Sequence, residues 1–221
     1  MNVKRILEVG GFISGAILIA FGAASIALAA NGNSTVNSSL KQEQITGTPD
    51  MTPALIKAEA TKAGLTGVTF PTCSVAGKLV DSGSRARCFA QYMRIHALDA
   101  THGFVYAQMG MYLAKPGTPK AQLTPDGATD NTAYAQIDPT TEQPVANGAR
   151  NVWVTETALT TALNVSFLAS QISLFSIVTG VALLLTGIGF VVLDFAALHA
   201  RREKSATEAA ATAQPRQAAL A

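Results

Sequence analysis

The chain has 221 residues, a net charge of +2, only 14% charged residues and a mean hydropathy of +0.27. This balance excludes the basic footprint of a nucleic-acid binder and is too apolar for an ordinary soluble domain. Ten Lys/Arg and ten Asp/Glu fall between Lys41 and Glu156, so the middle is neutral and the positive surplus sits at the two ends.

Residues 1–8 carry Lys4, Arg5 and Glu8, and residues 9–30 (VGGFISGAILIAFGAASIALAA) carry no charge. About 20 apolar residues at roughly 1.5 Å each cover the roughly 30 Å hydrocarbon core of a bilayer. Ala27-Leu28-Ala29 resembles a signal-peptide cleavage site, but the apolar run exceeds the usual core of about 7–15 residues, so an uncleaved anchor is expected. Residues 31–53 are rich in Asn, Ser, Thr and Gly and read as a linker. Asp50-Met51-Thr52-Pro53 marks a helix start, ALIKAEATKAG follows, and Gly64 is its stop. Gly67–Phe70 and Lys78–Val80 have the character of short strands.

Cys73 and Cys88 are the only cysteines. In an exported segment they are expected to form a disulfide; two cysteines make an incomplete metal set, and the spacing is not that of a redox pair. Phe89, Tyr92, Met93, His96 and Ala100 recur at helical spacing, with Gly103 as the stop. His96, Asp99 and His102 lie three apart and are the one sequence-local candidate for a metal or acid–base site; a hydrogen-bonded helix end is the favoured reading. Tyr106, Met109 and Leu113 suggest a further short turn of helix. Residues 115–148 are punctuated by Pro-Gly, Asp-Gly and Asn-Gly and read as loops.

From Glu156 to Asp194 the chain is free of charge between the two carboxylates. Its first part, up to Gln171, is a polar-flecked helix with Leu159, Leu163, Phe167 and Leu174 as a stripe on which the exported domain or a partner helix would pack, and Trp153 before it is expected in the domain core. Residues 172–193 form a second spanning segment, followed by Arg201, Arg202 and Lys204. Basic residues flanking both spans place both termini in the cytoplasm and residues from about 31 to 171 outside. Residues 194–221 read as a basic, then disordered, tail. Gly11, Gly15 and Gly22 in the first span and Gly180 and Gly187 in the second share a seven-residue step, which predicts close contact of the two helices. Asp194 is expected to pair with Lys4 or Arg5.

The fold class is thus a mainly α membrane protein: an antiparallel two-helix transmembrane hairpin carrying a small, mainly helical, disulfide-stapled domain over residues 54–171. The run RNVWVTETALTTALNVSFLASQISLFSIVTGVALLLTGIGF, with IHALDATHGFVYAQM and DPTTEQPVANGAR before it, resembles a family of actinobacterial two-span membrane proteins. Members often bear the label "aromatic ring-opening dioxygenase, small subunit-like". The resemblance implies a plasma-membrane protein with its middle exported. Ring-opening chemistry uses iron held by two His and a carboxylate. Here the histidines are His96, His102 and His199, the last of them cytoplasmic. The expected function is therefore a non-enzymatic accessory protein of the envelope, without a cofactor. Its partners would be the bilayer and other membrane subunits or a second copy, with no nucleic acid. The alternatives are an apolar-ligand module beside Leu159, Leu163 and Phe167, and a metal enzyme at His96, Asp99 and His102.

Overall fold

A computed structural model describes residues 3–218, with side chains for residues 9–207. It is mainly helical. The helices are α1 (Val3–Gln42), α2 (Pro53–Lys62), α3 (Gly83–Ala100) and α4 (Gly148–Ala218), with three short 3-10 turns between α3 and α4. Among the described residues there is no extended strand, only isolated bridges such as Thr46 with Leu79 and Tyr112 with Thr129. The pieces expected as strands at Gly67–Phe70 and Lys78–Val80 are loop segments. They are too short, and too interrupted by Pro71 and Gly77, to build a ladder. Residues 31–42, expected as linker, are instead the last three turns of α1, with Leu40 buried. The tail, expected to be disordered or weakly helical, is helical through Ala218, in keeping with its alanine content.

Two compact units emerge: Met1–Gly32 with Ile172–Ala221, and Asn33–Gln171. In the first, α1 and α4 meet through glycine. A Cβ added to Gly15 would lie 2.9 Å from the Gly187 carbonyl oxygen, and one added to Gly22 would lie 2.6 Å from that of Gly180. The contacts rise along α1 as they descend along α4, so the two helices run antiparallel here. Nothing larger than hydrogen fits at either crossing, which is why both pairs keep the same seven-residue step. Phe12 and Phe195 meet edge to face at 6.3 Å. Gly11 lies against Asp194, whose Oδ2 is buried without a hydrogen-bond partner among the described groups. The side chains of Lys4 and Arg5, expected to pair with Asp194, lie outside the described residues. Both α1 and α4 are long and apolar enough to cross a membrane.

In the second unit, Thr52 caps α2 by accepting the Leu55 N–H at 3.4 Å, Pro53 takes the first helical position, and Gly64 ends the element at φ +68°. Ile56 and Ala60 point inward to meet Val75, Val80, Tyr92 and Ile95. Helix α3 begins six residues earlier than the apolar spacing from Phe89 implies, at Gly83. A Cβ there would come within 3.1 Å of Phe167 Cα, so glycine lets the helix start against α4. Cys73 and Cys88 form a disulfide, and the buried Tyr92 hydroxyl donates to the Cys73 carbonyl at 2.6 Å. Both tie the same loop to α3. A second cluster joins Ala97, Met109 and Trp153, so Trp153 is core as expected.

Burying a large aliphatic side chain contributes roughly 1.5–3 kcal/mol, so the disulfide competes with only one or two core residues. Replacing both cysteines with alanine is expected to lower unfolding stability by about 3 kcal/mol, given the 15-residue separation. Denaturant titration of the oxidised protein and the variant checks this. Equal midpoints would show that the loop is held by packing and Tyr92 alone.

Candidate functional site

Three arrangements stand out among residues 33–171. The first joins the turn before α2, α2 itself and α3. His96 Nε2 lies 2.8 Å from Asp50 Oδ2 and 3.7 Å from Glu59 Oε1. Asp50 is held in the turn that leads to the Thr52 cap, Glu59 sits three residues beyond the buried Ile56, and His96 follows the buried Ile95. All three residues are half-buried. Hydrogen bonding from the Thr48 side chain, opposed by burial and assisted by His96, holds the Asp50 carboxyl below its ordinary value of 3.8. The imidazole is within ion-pair distance of both carboxylates, and Nε2 is shielded from solvent.

The sequence pointed to His96 with Asp99 and His102, and the structure does not bring those three together. Thr101 closes α3, and His102 lies beyond it at φ 54°, beside Gly103 at φ 83°. Among the described residues, the one set of three His, Cys or carboxylate ligand atoms within 4.8 Å of one another is Asp50, Glu59 and His96. Glu59 did carry a signal: a carboxylate three residues after a core isoleucine borders the buried face of a helix. Asp50 carried none.

The second arrangement is the α3–α4 seam. Arg87 donates to Asn164 Oδ1 at 2.8 Å, and Arg94 lies 4.2 Å above the Trp153 ring and 3.8 Å from Glu156, whose side chain is only 3% exposed. An open, mainly apolar groove of about 480 Å³ runs beside it, lined by Met93, Ala97, Val152 and Leu159 together with His96 and Glu156. Of the expected stripe, Leu163 is buried in the core, Leu159 packs at its edge and Phe167 lies beneath Arg87, whereas Leu174 is exposed. The unit's own core occupies that face. The opposite face of α4 carries Val154, Ala158, Thr161, Val165 and Leu168, all exposed and all uncharged.

The third arrangement organises the loops. Asp126 accepts from Gly110 N–H, Thr124 Oγ1, Ala128 N–H and Asn147 Nδ2, the last at 2.7 Å. Asn147 also accepts the Ala149 N–H at the start of α4. Arg150 donates to the Tyr106 hydroxyl at 2.7 Å and approaches Asp130 at 3.5 Å. These contacts brace the connection from α3 to α4, and the partners converge on backbone, which suits a scaffold. Comparison with protein-family models, curated proteins and solved structures finds no match.

Burial alone would raise the pKa of Asp126, but the hydrogen bonds from Thr124, Ala128, Asn147 and Gly110 outweigh it and hold the carboxyl below 3.8. A depressed carboxylate contributes stability that is present above the unfolded value and is lost as pH falls through the folded one. Asp126→Ala is therefore expected to lower stability by about 2 kcal/mol at neutral pH. It should also flatten the loss of stability below about pH 4. Thermal unfolding across pH reads both, and parallel curves for the two proteins would show that Asp126 ionisation is not linked to folding.

Proposed function

We propose that the chain is a two-span plasma-membrane protein of the actinobacterial type it resembles, and that it acts as a non-enzymatic accessory subunit through contacts of its exported domain. In this reading residues from about 31 to 171 face outward and both termini face the cytoplasm. Lys4 and Arg5 at one end, and Arg201, Arg202 and Lys204 at the other, support that threading. The disulfide supports an oxidising compartment for the domain. Phe21, Leu28, Phe175 and Leu185 are each more than 60% exposed, an arrangement costly in water and ordinary in lipid.

The observation that carries the accessory role is the outer face of α4 in the exported unit. Val154, Val165 and Leu168 are 51%, 58% and 57% exposed, and no charged residue accompanies them on that face. A solvent-facing helix surface ordinarily carries charged or strongly polar side chains. Here the apolar row is offered to a partner helix, from another membrane subunit or a second copy.

A photo-crosslinking residue at Val154 or Val165 is expected to capture that partner in intact membranes, whereas one at the buried Leu163 captures nothing outside the chain. Val165→Glu should abolish the captured species while changing stability by less than about 0.5 kcal/mol. A chain that remains an isolated monomer in mild detergent, with no adduct from either outward position, overturns the reading.

A further inference from the structure

We propose that Asp50, Glu59 and His96 bind a divalent transition-metal ion, with zinc as the representative species, and that this ion fastens α2 and the turn before it to α3. The inference is independent of the docking role assigned to α4.

The donor set is one imidazole nitrogen and two carboxylate oxygens. This mixture suits zinc and its neighbours rather than calcium, which takes six to eight oxygens. Two ligand atoms each about 2.0–2.1 Å from a tetrahedral ion stand roughly 3.3 Å apart. The separations of Nε2 from Asp50 Oδ2 and Glu59 Oε1, 2.8 and 3.7 Å, bracket that value, so small side-chain rotations suffice. Nε2 itself is the second observation. It is shielded from water and faces the oxygens of two carboxylates at once. In the neutral imidazole an unprotonated Nε2 would present its lone pair to two negative groups, which is repulsive. A cation between them removes the conflict, and a metal ion satisfies all three donors at once. Three protein ligands leave a position for water, and the partial exposure of Asp50 and Glu59 gives the ion a route in.

Binding can be tested on the full chain in detergent, purified without a histidine tag and stripped with chelator. Zinc titration by calorimetry is expected to give one site per chain. Cobalt substitution should give the intense visible bands of a four-coordinate ion. His96→Gln and Glu59→Gln should each weaken zinc by more than about 100-fold. Asp99→Asn and His102→Gln should leave it unchanged. A second readout needs no variant: on the wild-type chain, zinc should protect His96 from diethyl pyrocarbonate while His102 and His199 remain reactive, as read by mass spectrometry. Zinc should also raise the unfolding temperature in proportion to the logarithm of its free concentration. Absence of stoichiometric binding at about 100 µM zinc would overturn the proposal and leave His96 as a side-chain neighbour of Asp50 alone. So would zinc binding that leaves His96 unprotected.

Discussion

The second unit hangs on the antiparallel seam between α3 and α4. Gly83 admits the start of α3 against Phe167 and Ser170, Arg87 reaches Asn164, Arg94 covers Trp153, and Ala97 ends the run beside the same indole. Fixing that seam presents Phe89, Tyr92 and Ile95 to α2 and to the loop held by the disulfide. A side chain at Gly83 would displace the first contact and, through the rigid helix, the register of the others. The loops from Val105 to Asn147 then close over the far end of the seam, with Asp126 and Asn147 satisfying backbone groups that would otherwise be buried without partners.

A different constraint governs the first unit. On the proposed membrane reading, apolar side chains in lipid gain nothing by leaving the solvent, so association of the two helices would depend on close packing and on backbone approach. Gly15 against Gly187 and Gly22 against Gly180 supply that approach, while the large apolar side chains remain on the outside. The cores therefore invert. Residues 33–171 put large side chains in the centre, and the pair of long apolar helices puts its smallest residues there.

The features legible in the sequence were those set by local spacing. The seven-residue glycine step, the Thr52-Pro53 helix start, the stop at Gly64 and the pairing of Cys73 with Cys88 each need only one helix period or one short loop to be read. The site at His96 was legible in one residue of three. Histidine neighbours on the helix, Asp99 and His102, were the natural partners on sequence spacing, but Thr101 ends α3 before His102 and the left-handed backbone there turns it away. Asp50 and Glu59 reach His96 only because α2 packs on α3, a tertiary fact with no local trace at Asp50. The α4 stripe was legible for the same local reason. Apolar periodicity marked the face on which the domain packs at Leu159, Leu163 and Phe167, though not at the exposed Leu174, and it could not also mark the face left open.

That open face is the more informative of the two. The inward positions of α4 include Glu156, Thr160 and Ser170 beside Trp153 and Leu163, whereas the outward positions are Val154, Ala158, Thr161, Val165 and Leu168. Between Asn151 and Gln171 the helix thus keeps its one charged group, Glu156, toward its own domain. Its exposed positions there are all uncharged, threonines such as Thr155, Thr157 and Thr161 among the valines, whereas a helix that borders water ordinarily presents charges. The inward polar groups have structural uses, since Glu156 faces Arg94 and Asn164 accepts from Arg87. No such use accounts for the outward valines. Each exposed valine or leucine covered by an apolar surface gains up to roughly 1.5–3 kcal/mol. In the proposed membrane setting, a row of three would offer enough to hold a neighbouring helix confined to the same bilayer, where association costs less freedom than it would in solution. The distribution of side chains around α4 is thus the feature on which the proposed docking role rests.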